Sequence, residues 1–157
     1  MSTTPESRFV YVTYIKTTRE KLWEALTSRE FMAQYWLGAK PELEPRIGGN
    51  WKIVLGDGRI ADTGEVTEIE PGKRIVIRWL NQFMPELKDE GDSTCTMEIE
   101  PQDGGSMKLT VTHTMQRSES KVIAAVGGGW PKILSNLKSL FETGSIVLGE
   151  PYPKDQD

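Results

Sequence analysis

The chain changes its hydrophobic period three times, and each change predicts a different element. Residues 9–16 (FVYVTYIK) are rich in β-branched and aromatic side chains and predict a strand. Thr17 and Glu20 then have capping-box spacing, with Leu22, Trp23 and Leu26 at helical steps behind them. Thr27-Ser28-Arg29-Glu30 repeats that start signal. Phe31, Met32, Tyr35 and Trp36 give a second apolar face, and Gly38 and Pro41 stop it. Two short helices are expected, over 19–26 and 29–36.

From about Glu42 to Met115 the period is two. Trp51, Ile53 and Leu55 form one face, and Gly56-Asp57-Gly58 turns the chain into a strand over 59–70. Pro71-Gly72 turns it again into Ile75, Ile77 and Trp79, and a looser acidic loop follows over 85–92. Cys95, Met97 and Ile99 share a face. After Asp103-Gly104-Gly105, so do Met107, Leu109, Val111, His113 and Met115. This is an antiparallel meander with one buried face. The apolar positions from Val122 to Phe141 then step by three and four, which predicts a long helix over 119–143 that Ser118 caps and Gly144 ends. Pro131 lacks the N–H that would bond the Gly127 carbonyl, so a kink or break is expected there.

The buried face of the meander needs a cover, and only the last helix is large enough. The expected class is α+β: a curved antiparallel sheet of six or seven strands around one long C-terminal helix, with two short helices after the first strand. Residues 8–146 form one domain between an N-terminal tail, 1–7, and a polar C-terminal tail, 147–157. Such a sheet and helix leave a cavity between them.

Composition narrows the function. The chain has 157 residues, 19 basic against 23 acidic, for a net charge of −4. No Lys/Arg block suits a nucleic acid or an anionic membrane surface. The start of the chain lacks the apolar stretch of a secretory signal, and no run is long enough to span a membrane, so a cytoplasmic protein is expected. One Cys and one His cannot build a zinc site, and no metal or cofactor is expected.

The candidate chemistry is sparse. Gly127-Gly128-Gly129 has no Gly-Lys-Ser/Thr after it and reads as a close approach of helix to sheet rather than a phosphate loop. Cys95 and His113 fall on the apolar face of neighbouring strands. A nucleophile pair would also need a third orienting group, and the preferred reading is a small buried hydrophobe beside a satisfied histidine. Asp62 shares a face with Gly64 and Val66, but spacing supplies no second carboxyl group for acid–base work. Trp23 reads as core. Trp36, Trp51, Trp79, Met97, His113, Trp130 and Leu134 are the candidates for lining the cavity. His113 should point under the last helix near Trp130, with its pKa below 6.5.

An ordered series of motifs also resembles a known family. It comprises residues 14–27 (YIKTTREKLWEALT), Tyr35-Trp36, Gly48-Gly49-Asn50-Trp51 and Asp62-Thr63-Gly64-Glu65-Val66. It continues with Glu70-Pro71-Gly72-Lys73-Arg74 before Trp79, Thr110-Val111-Thr112-His113, Gly129-Trp130 and Leu134-Ser135-Asn136-Leu137. Together these resemble the heat-shock-protein ATPase-activator-homologue family of the SRPBCC superfamily. The resemblance implies a START-like helix-grip fold. It implies no set of catalytic residues. The leading expectation is non-enzymatic binding of a small, mostly hydrophobic molecule, lipid-like in character, between sheet and helix. A cochaperone-type protein-interaction module and a polyketide cyclase or aromatase are the alternatives. A homodimer is left open.

Overall fold

The computed structural model describes residues 5–149. Most of the two tails assigned from the sequence, 1–4 and 150–157, lies outside the described residues. Seven strands form one antiparallel, curled sheet: β1 (Ser7–Lys16), β2 (Lys40–Leu43), β3 (Asn50–Val54), β4 (Ile60–Glu70), β5 (Arg74–Asn81), β6 (Ser93–Gln102) and β7 (Ser106–Met115). Their order is β1-β7-β6-β5-β4-β3-β2, so the last strand in the chain pairs the first. The registers of β3 with β4 and of β4 with β5 each shift once, at Ile53/Val54 and at Val66/Glu68. Such irregularities add twist and help a sheet to curl.

Helix α4 (Lys121–Thr143) covers the inner face of the sheet with Val122, Val126, Trp130, Ile133, Leu134 and Leu137, all buried. Gly144 ends it in a left-handed conformation, as expected. The break expected at Pro131 does not occur: the helix runs on through it. A proline removes one N–H bond, while the buried residues on both sides hold each half against the same sheet. The capping residue is Ser120 rather than Ser118, its hydroxyl accepting from Ile123 N. Glu90 completes the cap from the loop before β6. Its Oε1 accepts from Ser120 Oγ at 2.7 Å and from Val122 N, and its Oε2 from Lys121 N at 2.8 Å.

Helix α1 (Arg19–Thr27) begins at a Thr18 cap, one residue later than the capping-box spacing suggested. Helix α2 (Arg29–Met32) is shorter than the expected 29–36. Tyr35 and Trp36 instead lie on a turn that continues into Leu37 and Gly38, both in the left-handed region at φ +56° and +88°. That reversal puts Trp36 inside the protein rather than on a helix face. The acidic loop contains one helical turn, α3 (Pro85–Lys88). Pro41, expected only as a stop, lies within β2, an edge strand that tolerates its missing N–H. After α4 the chain folds back. Buried Asn136 accepts from Val147 N and Leu148 N and donates to the Leu148 carbonyl.

Candidate functional site

Strand pairing assembles the site. Trp51, Gly64 and Trp79 sit side by side across β3, β4 and β5. Gly64 has no side chain to separate its neighbours, so the two indoles meet over it with ring centroids 5.0 Å apart. Trp130 comes down from α4 and Trp36 comes in from the turn after α2. The four rings close a cycle: Trp36 lies 6.0 Å from Trp51 and 5.4 Å from Trp130, and Trp79 lies 6.0 Å from Trp130. All four are buried. The gap left between Trp36, Trp79, Trp130 and the neighbouring α4 residues is about 10 Å³. That is at the lower limit for a single water. Where the sequence predicts an open cavity, the described residues fill the space with indoles.

His113 closes one side of this cycle, 5.0 Å from the Trp79 ring and fully buried. Trp130 Nε1 donates to its Nδ1 at 3.2 Å, and its Nε2 lies 2.8 Å from Ser93 Oγ. An indole N–H only donates, so Nδ1 must be the bare nitrogen and Nε2 must carry the proton. Ser93 then accepts from His113 and donates its own hydroxyl to the Trp79 carbonyl at 3.4 Å. Burial pushes the His113 pKa down to about 3. The ring is neutral and both nitrogens are engaged, so it has no free position for a thiol or a substrate proton. Cys95 stands opposite it in register, buried, with its thiol pKa raised by burial.

Asp62 is the other buried titratable group against the cluster. Its Oδ1 accepts from Trp79 Nε1 at 2.8 Å and from Asn81 Nδ2 at 3.1 Å. Burial raises its pKa to about 6, against the opposing pull of those two donors. Trp51 Nε1, by contrast, has no hydrogen-bond partner among the described residues.

Of the seven cavity candidates, the structure brings Trp36, Trp51, Trp79, His113 and Trp130 into one ring-to-ring cluster. Met97 and Leu134 are buried in the same core but stand apart from it. Met97 pairs with Ile75 and Val111, two residues along the strand from Cys95 and His113, and Leu134 lies one helical turn beyond Trp130. Sequence reasoning missed Ser93 and Asn81. Ser93 was within reach, because 93, 95, 97 and 99 share one face by the period of two. An open groove of about 440 Å³ runs along β2 and β3 and is lined in part by Trp51 and Gly64 of the same row. There Glu42 already approaches both Arg29 and Lys52. Among the described residues no group of three His, Cys, Asp or Glu could hold a metal ion, and no helix is long and apolar enough to cross a membrane.

A curled antiparallel sheet gripping a C-terminal helix, with aromatic rings between them, defines a helix-grip protein. Residues 16–142 match the family described as Activator of Hsp90 ATPase homolog 1-like protein, and the chain belongs to that family. Solved structures share the fold. Protein MLL2253 from Mesorhizobium loti is 23% identical with a TM-score of 0.74, covering 89% of this chain and 100% of that one. An HSP90 activator from Plasmodium falciparum is 24% identical with a TM-score of 0.68, covering 85% and 94%. The Aha1 dimer from Colwellia psychrerythraea is 20% identical with a TM-score of 0.70, covering 88% and 98%. No curated protein matches the sequence.

Proposed function

We propose that this chain acts by binding rather than by catalysis, and that its ligand is a small, mostly apolar, planar molecule. The observation that carries this reading is the closed cycle of four indoles with a gap at its edge, together with a buried Trp51 N–H that has no hydrogen-bond partner among the described residues. An unpaired buried donor costs about 1–3 kcal/mol, which a ligand oxygen would offset. In this reading Trp36, the one ring of the four carried by a turn rather than by a strand or helix, is the ring that moves. Swinging it outward exchanges an indole for a ligand ring of similar size and leaves Trp51, Trp79 and Trp130 in place. A cyclase or aromatase reading has less support, since His113 spends both nitrogens on Trp130 and Ser93.

The test is a thermal-shift screen of planar apolar compounds on the wild type and on Trp36→Gly, followed by NMR of the Trp51 indole N–H. A binder should raise the melting temperature of both, more strongly in Trp36→Gly, and move the Trp51 resonance. A screen in which neither protein responds would overturn the reading.

A second reading, a protein-interaction module acting on a chaperone ATPase, is favoured by the small gap that the described residues leave between Trp36, Trp79 and Trp130 and by the family the chain belongs to. It is separable from the first, because stimulation of a chaperone's ATP hydrolysis should survive Trp36→Gly.

A further inference from the structure

Past Gly144 the chain does not leave helix α4 but runs back along it, antiparallel, and its hydrogen bonds mark the course. The Ser145 carbonyl accepts from Ser139 Oγ at 2.7 Å and from Thr143 Oγ1 at 3.2 Å. Further on, Val147 N and Leu148 N donate to Asn136 Oδ1 at 2.9 and 2.7 Å, and the Leu148 carbonyl accepts from Asn136 Nδ2 at 2.7 Å. The anchor is firm, because Asn136 is fully buried and Leu148 packs on the core. Gly149 is the last described residue, and residues 150–157 follow it.

The course set by this anchor has a destination. Ile133, Gly129 and Val126 lie three, seven and ten residues before Asn136, so all four share one side of α4. Ile133, Gly129 and Val126 are also the residues that, with Trp130, border the small gap beside Trp36 and Trp79. A chain that keeps its direction past Leu148 runs from Asn136 to that gap, and Gly129 has no side chain to stand in its way. The sequence keeps the segment extended. Glu150 and Tyr152 each precede a proline, Pro151 and Pro153, and a residue before proline is held in the extended region. The distances then agree. Leu148 to Tyr152 spans about 12 Å of polyproline-like chain, and Asn136 to Gly129 about 10 Å of helix. Halfway, Glu150 comes level with Lys132, each about 6 Å from the anchor, and an anion meets a cation.

We propose that residues 150–153 dock along α4 as a strap, with Glu150 paired to Lys132 and the Tyr152 ring seated over Gly129 against Trp36, covering the gap in the tryptophan cycle. Tyr152 suits that seat, since an aromatic ring beside the indoles adds edge-to-face contact to its apolar area. Trp36 is the one ring of the four carried by a turn, and the strap packs against that ring. Strap and ligand then contend for the same place, and the tail must lift before Trp36 swings outward. Only this last consequence rests on the ligand reading; the docking of the tail does not.

The experiment is NMR of the full chain without ligand, for the wild type and for variants on the strap, each checked for folding by the Val147 and Leu148 amide resonances. The wild type should show nuclear Overhauser contacts from the Tyr152 ring to the Trp36 indole and to Gly129, equally strong in dilute and concentrated samples. Tyr152→Ser should move the Trp36 indole N–H resonance. Tyr152→Phe keeps the ring and should leave that resonance near its wild-type position. Glu150→Lys should lower the ratio of docked to undocked tail about two- to fivefold, the worth of one exposed ion pair. Adding Lys132→Glu should bring it back. A wild type without these contacts overturns the proposal. So do contacts that appear only on concentration, which put a second copy's tail in the seat, and a Trp36 resonance that Tyr152→Ser leaves unmoved. A double charge variant docked no better than Glu150→Lys overturns the register of Glu150 on Lys132. No ligand enters these measurements, so their failure removes the strap and leaves the ligand reading standing, while a failed ligand screen leaves the strap.

Discussion

Trp130 Nε1 donates to His113 Nδ1 at 3.2 Å, and this bond joins the helix to the sheet it covers. It also fixes the tautomer of the imidazole, so Nε2–H donates to Ser93, whose own hydroxyl donates to the Trp79 carbonyl of β5. A single polar thread thus runs from α4 through β7 and β6 to β5 inside an otherwise aromatic core. Each member is satisfied only while the others hold their places, so the thread specifies how α4 sits on the sheet.

Breaking that bond from either end should cost about 1–3 kcal/mol, because each single change leaves a buried donor or acceptor unpaired. His113→Phe orphans the Trp130 N–H, and Trp130→Phe orphans Nδ1. The double variant has neither orphan at that joint, so its loss should be smaller than the sum of the two. Urea unfolding of all four proteins should give a coupling of about 1 kcal/mol. Additive losses would mean the bond contributes nothing beyond packing.

His113 and Asp62 should oppose one another in the pH dependence of stability. His113 has a native pKa of about 3, below its ordinary 6.5, because burial disfavours the charged ring. As pH falls below 6.5 the unfolded chain takes up a proton that the native chain refuses, so stability drops toward pH 3. Asp62 has a native pKa of about 6, raised by burial from 3.8. As pH falls from 6 to 4 the native chain takes up a proton that the unfolded chain still releases, so stability rises. Each slope approaches about 1.4 kcal/mol per pH unit where one state alone is protonated. Between pH 4 and 6 the two nearly cancel. Asp62→Asn removes one of them, and its stability should fall steadily with acid where the wild type stays level. Parallel curves for the two proteins over that window would contradict this.

Glu90 should act as a remote cap for α4. Its carboxylate is 5% exposed. Burial works to raise its pKa, but the Ser120 hydroxyl, the Lys121 and Val122 amides and Arg117 outweigh that and hold it below the usual carboxylate range. Glu90→Ala should destabilise the protein by about 1–2 kcal/mol, the range for losing a helix N-cap. The contribution is present above the ordinary carboxylate pKa and fades as pH falls through the lowered one. The loss should therefore be full at pH 7 and shrink in acid. A loss that does not change with pH would point to packing instead.

The sheet and the position of His113 were legible because a period of two assigns a face without any knowledge of partners. Residues 107 to 115 alternate cleanly, so His113 had to lie under the helix. What stayed hidden depends on contacts between distant segments. Nothing around Glu90 announces that it caps a helix thirty residues later. The row Trp51, Gly64, Trp79 exists only once two strand registers are set. The second helix was drawn too long because Tyr35 and Trp36 continue its apolar spacing. Leu37 in a left-handed conformation is a tertiary demand that residue type does not signal. The expected cavity went the same way: four tryptophans directed toward one space were visible, but not that they would turn their rings toward one another.

Two glycines on facing elements should respond to alanine in opposite directions. A methyl group at Gly64 would collide with the Arg78 carbonyl oxygen and reach Trp51 Cδ1 at 3.2 Å. The first contact is backbone in a paired strand and cannot give way without breaking the β4–β5 register. Gly64→Ala should therefore cost more than about 2 kcal/mol, beyond the range of most surface changes. It should also part the Trp51 and Trp79 rings, which tryptophan fluorescence and near-ultraviolet circular dichroism would report. Gly128 lies inside α4 with helical backbone and open space where its Cβ would stand. Gly128→Ala removes the glycine penalty of a helix interior and should stabilise the protein by up to about 1 kcal/mol. The aromatic signal should stay as it is. If Gly64→Ala proves harmless, the close approach of β4 to β5 at this row is wrong, and with it the way Trp51 and Trp79 are brought together.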